Sequence, residues 1–134
     1  LPFEDHFFDV VFTKSVLEHM ENTERYITEM YRVLNRGGIL IMLVPDWETQ
    51  YLIFYQDPTH IHPYTKKSVE RLLCMSDFKE VRAEKFIQLP AVWESRFMAG
   101  LSRLVRLAGP VKKIYRNKFI RFSRELMILG SGIK

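Results

Sequence analysis

The fold is decided by residues 8–45, FDVVFTKSVLEHMENTERYITEMYRVLNRGGILIMLVP. Phe8 to Thr13 (FDVVFT) is a short run rich in Val and Phe and reads as a buried strand. Lys14 to Met20 connects it to a helix. Asn22 and Thr23 are the candidate N-caps, and Glu24 suits the positive end of the helix dipole. Tyr26, Ile27, Met30, Val33 and Leu34 then recur at helical spacing, with Glu24, Arg25, Thr28, Glu29 and Arg32 on the other face. Gly37-Gly38 offers the left-handed turn that ends such a helix. Ile39 to Val44 (ILIMLV) is apolar at every position, as a strand covered on both faces requires, and Pro45 closes it. Strand, helix and fully apolar strand make a βαβ unit. Its strands should be parallel and its crossover right-handed.

The segments that follow are shorter. Asp46 to Tyr64 is irregular and aromatic and ends in DPTHIHPY. Thr65 caps a helix to about Ser76, with Tyr64 and Val69 placed as a hydrophobic staple. Val69, Leu72 and Leu73 form its inward face, and Asp77 tolerates the left-handed turn beyond it. Val81 to Ile87 reads as a strand with a polar face. Ala91 to Ala108 reads as one helix, with Trp93, Phe97, Leu101, Leu104 and Ala108 on one face and Arg96, Arg103 and Arg106 on another. Gly109-Pro110 breaks it, and Val111 to Arg124 is a second basic, aromatic segment. Leu126 to Leu129 reads as a last strand, with Gly130 and Gly132 after it. There is no internal repeat and no low-complexity stretch.

Composition sets the class. The 134 residues are 47% hydrophobic and 27% charged, which suits one globular domain with a real core and excludes a disordered tail, a collagen-like chain and a disulfide-stapled miniprotein. Cys74 is the only cysteine, so an intramolecular disulfide is excluded, which fits a reducing, cytoplasmic setting. No apolar run approaches the roughly 20 residues of a membrane span. No basic-then-apolar leader opens the chain, and its first residue is Leu1 instead of Met. Charge is uneven. Residues 1–90 hold ten basic and fourteen acidic residues, whereas residues 91–124 hold nine basic residues and only Glu94, a net of +8. Such a block can meet phosphates, an anionic membrane or an acidic partner, or it can simply be a solvated helix face.

Leu1-Pro2-Phe3, Phe8-Asp9, Leu17-Glu18-His19, Arg32-Val33-Leu34 and Gly37-Gly38, in that order and spacing, resemble the second half of class I S-adenosylmethionine-dependent methyltransferases. Asp57-Pro58-Thr59-His60 before Tyr64-Thr65 is also similar to many members that act on small molecules, sugars or lipids. The resemblance covers about residues 1–87 and the last strand. It implies an α/β, partial Rossmann-like sheet: strands four to seven, parallel with an antiparallel edge hairpin, plus a helical insertion. Residues 1–134 would be a single partial methyltransferase domain carrying a basic helical insertion at 91–124. Arg36 stands where the family usually has Pro, and Asp77 where it usually has Gly. The larger departure is that the family's glycine-rich loop, its ribose-binding acid and the aspartate before Leu-Pro-Phe have no counterpart in these residues. A backbone approach as close as that loop makes needs Gly. The resemblance therefore implies S-adenosylmethionine as cofactor and, for this chain alone, weak or no binding of it.

Ligands of open α/β sheets bind beyond the carboxyl ends of the strands. On that rule and the resemblance, Leu1, Pro2, Thr13, Lys14, Ser15, Val16 and His19 fall on the cofactor side, and Asp46, Trp47 and Tyr64 face the substrate. His19 also has a plainer reading, as a hydrogen-bonded orienter of its loop. His60 and His62 are the candidates for acid–base work, because an imidazole near neutral pKa can take the proton of an oxygen or nitrogen nucleophile. Against this, His60 has the plainer role of bonding a backbone loop, and transfer by proximity alone needs no base. The i,i+2 spacing of His60 and His62, with His6 and His19 elsewhere, does not define a metal site without a third ligand at a fixed spacing.

The basic block can cap a substrate pocket, rest on anionic lipid with Trp93 and Phe97 inserting, or meet nucleic acid. No binding motif accompanies the third option. Two functions follow. One is methyl transfer to a small-molecule, sugar or lipid acceptor. The other is a cofactor-incompetent half-domain, acting as an assembly or membrane-surface module. In the second case an uncovered Phe8 to Thr13 edge would pair two copies into a homodimer. The expected location is cytoplasmic, with the inner face of a membrane as the peripheral option.

Overall fold

In the computed structural model, which describes residues 1–134, β1 (Phe8–Lys14) passes through a one-turn 3-10 segment at Leu17–His19 into α1 (Thr23–Val33) and returns along β2 (Leu34–Pro45). The two strands run parallel, with Val10 to Lys14 paired in step against Ile39 to Leu43. Asn22 starts α1, its side chain accepting the Arg25 N–H at 2.8 Å. The chain continues through α2 (Trp47–Gln50), a 3-10 turn at Phe54–Gln56, α3 (Lys66–Met75) and β3 (Lys79–Phe86). It then forms α4 (Pro90–Glu94), α5 (Arg96–Arg106), α6 (Lys118–Arg124) and β4 (Met127–Ile133). Strand order is β1-β2-β4-β3, and β4 runs antiparallel to both neighbours. Thr65 and Ser68 cap α3 reciprocally, and Tyr64 and Val69 across that cap are both buried in the core.

Four expectations need correction. First, the Gly37-Gly38 pair does not end α1. The helix stops at Val33, and Leu34 is already extended. The glycines instead serve β2, whose register against β1 slips between Leu34 and Ile39. Gly37 takes φ +78°, and a Cβ on Gly38 would lie 2.9 Å from the Asn35 carbonyl oxygen. The end of α1 is closed by Lys134, whose ammonium donates to the carbonyls of Tyr31 and Leu34.

Second, the last strand does not stop at Leu129 but runs through both glycines to Ile133. A Cβ on Gly130 would lie 2.6 Å from Val69 Cγ1, and one on Gly132 would lie 2.8 Å from Phe78 Cβ. The strand accepts glycine there because α3 and the turn after it press directly on its backbone.

Third, residues 91–108 are not one helix. Ser95 is extended (φ −126°, ψ 117°) and N-caps α5 through its hydroxyl. The buried side of α5 is that of Ser102. Phe97, Leu104 and Leu107 are exposed.

Fourth, the central strands are covered on one face only along much of their length. Leu40, Met42, Val44 and Ile128 pack with Ile27, Met30, Val69 and Leu73 from α1 and α3. On the other face Val10, Phe12 and Ile39 are exposed, Phe12 by 60%. β1 is an edge strand, not a buried one.

The glycine contacts give a paired prediction. Gly130→Ala should cost about 1–3 kcal/mol by overpacking. Gly100→Ala, inside α5 with nothing near its Cβ position, should gain about 0.5–1 kcal/mol of helix propensity. Urea denaturation of the two variants measures both signs.

Candidate functional site

β1 and β2 deliver their following loops to the same end of the sheet. After β1, Ser15 adopts φ 51° and its N–H donates to the Leu43 carbonyl at 2.9 Å. This bends the chain into the Leu17–His19 turn. Thr13 is buried, and its hydroxyl lies 2.8 Å from the Tyr26 hydroxyl, so its side chain serves α1. Lys14 and Val16 line an open apolar groove of about 410 Å³ with Leu1, Phe3, Val10 and Phe12. Pro2 is exposed and does not line it. The groove walls hold no carboxylate and no glycine. That groove therefore offers no acid to a ribose and no glycine for a close backbone approach.

After β2, Asp46 is fully buried, with Lys85 Nζ 3.1 Å from Oδ2 and Glu48 on the same ammonium. Trp47 is half-buried against Tyr51, Phe54 and Tyr55. Its N–H donates to the Tyr64 carbonyl. Tyr64 is buried, and burial pushes its phenol up to about 12.

The loop between α2 and α3 then folds back onto the Leu17–His19 turn. The N–H groups of Ile61 and His62 donate to the Glu18 carbonyl at 2.8 and 3.2 Å. His60 Nδ1 lies 2.8 Å from the Phe54 carbonyl. A carbonyl only accepts, so Nδ1 carries the proton and Nε2 is left with its lone pair. His19 is fixed the same way. Its Nδ1 is 2.9 Å from the Thr59 hydroxyl oxygen. That hydroxyl gives its own proton to Asp57 Oδ1 at 2.6 Å, so it can only accept from His19. The two rings lie 4.7 Å apart.

Beside both rings sits Glu18, 1% exposed, whose two carboxylate oxygens have no hydrogen-bond partner. Burial raises its pKa, against the opposing pull of its own backbone amide, His19 and His60. One ligand atom each from Glu18, His19 and His60 falls within 4.8 Å of the others. His62 contributes only its backbone N–H. Thr59 donates to Asp57 from its side chain and its backbone, which holds the Asp57 carboxyl below the usual range.

A cleft of about 570 Å³ opens beside this cluster. Gln50, Phe54, Asp57 and His60 form one wall, and Ile114, Arg121 and Glu125 form the other. The second wall is fixed by buried Arg124. Its guanidinium donates to the carbonyls of Ala108, Gly109 and Pro110 and to the Tyr115 hydroxyl. The Val111 N–H donates to the Thr49 carbonyl, tying the same loop to α2.

Residues 1–42 match the family model described as a methyltransferase domain. An S-adenosylmethionine-dependent methyltransferase from Archaeoglobus fulgidus superposes with a TM-score of 0.64 at 18% identity, over 98% of this chain and 62% of that one. The chain carries the class I methyltransferase fold. Phosphoethanolamine N-methyltransferase 2 of Haemonchus contortus, solved with S-adenosylmethionine, shares the fold with a TM-score of 0.62 at 16% identity, over 98% of this chain and 34% of that one. An uncharacterized protein of Methanocaldococcus jannaschii is 33% identical over 97 residues, covering 65% of this chain and 46% of the relative. The chain spans about half the length of the curated relatives from that organism.

Set in the methyltransferase fold, the residues read from sequence divide in two. His19 and His60 are brought together, while His62, Trp47 and Tyr64 serve the loop that carries them. The buried Glu18 carboxylate, the Asp57–Thr59–His19 chain and the α6 wall were not read from sequence. Only Leu-Glu-His itself hinted at the first. The buried Asp46 gives a measurable consequence. Lys85→Met should destabilise by about 3 kcal/mol, because it leaves a buried carboxylate without its cation. Adding Asp46→Asn should recover most of that loss in the same urea titration.

Proposed function

We propose that the chain supplies the acceptor side of an S-adenosylmethionine-dependent methyltransferase acting on a small-molecule, sugar or lipid-linked acceptor. One observation carries the reading: the cleft between the α2–α3 loop and α6, at the carboxyl end of the sheet, with His60 in its wall. The cofactor belongs on the β1 side, next to Val16 and His19. The chain alone binds it weakly, since the groove there offers no acid or glycine. Arg121, half-exposed and paired with Glu125 at 2.8 Å, is placed to meet an acidic group on the acceptor. The acceptor's proton passes to Nε2 of His60, or to solvent when an ion holds that nitrogen, since Nδ1 is committed to the Phe54 carbonyl. The phosphorylated amine handled by the Haemonchus contortus enzyme fits a cleft with one arginine. The exposed Trp93, Phe97 and Leu104, with Arg96 and Arg103 nearby in sequence, favour an acceptor presented at an anionic lipid surface.

The test is label transfer by the native protein from methyl-labelled S-adenosylmethionine to phosphoethanolamine, a sugar phosphate or a lipid amine in anionic vesicles. Wild type should label one of them. His60→Ala should lower turnover by about 100-fold, and Arg121→Ala should mainly raise KM. Absence of label in all three, or full turnover by His60→Ala, would overturn the reading.

A second reading is favoured by the edge of β1. Val10 and Phe12 on β1 and Phe7 just before it are 52%, 60% and 59% exposed, and the strand is paired on one side only. The 134-residue chain should therefore self-associate, most simply as a two-fold dimer. Light scattering at micromolar concentration should give twice the monomer mass, and Phe12→Lys should restore the monomer.

A further inference from the structure

From the convergence of Glu18, His19 and His60 we infer that this cluster binds a divalent transition-metal ion of the zinc type. Two imidazoles and one carboxylate with an open fourth position are the donor set of catalytic zinc sites. Three independent features build the site. The first is the unpartnered Glu18 carboxylate, 1% exposed and closed off from solvent. A buried charge of this kind costs several kcal/mol unless something pairs with it, and the only charged groups that act on it are His19, His60 and Asp57.

The second feature is the orientation of both rings. Each Nδ1 is spent on a fixed acceptor, the Phe54 carbonyl for His60 and Thr59 for His19. This leaves both Nε2 lone pairs for a ligand and matches the outer-shell arrangement of metal-bound histidines. Asp57 completes it, since the chain from Asp57 through the Thr59 hydroxyl to His19 fixes the orientation of that ring. The third feature is spacing. The ligand atoms lie within 4.8 Å of one another, with Glu18 Oε1 4.0 Å from His19 Nε2. Bonds of about 2.0–2.2 Å from one ion set tetrahedral ligand atoms roughly 3.5 Å apart, so the three side chains close in by up to about 1.3 Å when the ion binds.

His60 also lines the cleft, so an ion held by it would lie at the edge of that space. An acceptor hydroxyl or a water bound there would lose its proton to solvent at a lower pH than when free. That consequence rests on the methyl-transfer reading, but the binding itself does not.

The test uses metal alone. The chelator-stripped 134-residue chain should take up one equivalent of Zn²⁺ in calorimetry, and Co²⁺ in its place should develop visible d–d absorption. Mg²⁺, which prefers all-oxygen sites, should give neither signal. Glu18→Gln, His19→Ala and His60→Ala should each abolish stoichiometric uptake, and Thr59→Ala should weaken it by about 10- to 100-fold. His62→Ala and His6→Ala should bind as wild type. Circular dichroism identifies any variant that fails to fold. Should His60→Ala be such a variant, the partly exposed His19 and Thr59 carry the test. No uptake by wild type, or uptake indifferent to His19→Ala and Thr59→Ala, would overturn the metal site and leave Glu18 and His60 as a proton-sharing pair. Because no cofactor is present, that outcome would not touch the methyl-transfer reading. Loss of label transfer with intact Zn²⁺ uptake would fail that reading alone.

Discussion

Two backbone hydrogen bonds, from the N–H groups of Ile61 and His62 to the Glu18 carbonyl, join the loop after β2 to the loop after β1. At that point one loop makes a single 3-10 turn and the other has no regular structure, and the residues they join are about 40 positions apart in the chain. With the bonds made, Thr59 comes against His19, His60 comes beside His19, and the buried Glu18 carboxylate lies next to both. Backbone bonds suit this role because they fix position without using the side chains they bring together. The same contact defines one wall of the cleft, since Phe54, Asp57 and His60 belong to the anchored loop.

That anchor depends on a stiff sheet behind it. β2 is the central constraint there, with β1 on one side, β4 on the other, and Leu40, Met42 and Val44 against α1 and α3. β4 lets α3 approach through Gly130 and Gly132, where side chains would collide with Val69 and Phe78. Moving α3 away from β4 would shift Thr65, and with it Tyr64 and the residues before it. Close packing at two glycines is thus transmitted to the histidine loop through one capped helix.

The βαβ unit was legible because its signals are local: one cap at Asn22, one helical period and one apolar run. The α3 cap was legible for the same reason. The role of Gly37-Gly38 was misread because helix termination and a strand irregularity both call for a left-handed residue, and only the position of Leu34 separates them. Gly130 and Gly132 were read as a strand's end because the cause of their being glycine lies in α3. The site was half legible. The histidines stood out by residue type, but the choice of His19 over His62 as the partner of His60 is made by a fold-back that no periodicity records. Glu18 reads in sequence as one more acidic residue, and its significance comes wholly from its burial.

The basic block shows how far net charge misleads when read without geometry. Of its nine basic residues, Arg124 is buried and spends its guanidinium on loop carbonyls and the Tyr115 hydroxyl, and Arg121 is paired to Glu125. Arg124 fixes the cleft wall and Arg121 lines it, so neither belongs to the outward face of α5. Of the remaining seven, Arg96, Arg103 and Arg106 lie on α5, whose Phe97 and Leu104 are exposed, as is Leu107 at its end. One sequence block therefore does two physically different things. Its C-terminal part is fastened to the body through Val111 and Arg124 and forms one wall of the cleft. Its N-terminal part, α4 and α5, leaves apolar area in water that a packed cap would have buried, at roughly 25 cal/mol per Å². A cap with no other duty would be expected to turn Phe97 inward and Ser102 outward. The reverse orientation is what an amphipathic surface helix needs, with arginines beside the apolar face to hold it against anionic headgroups.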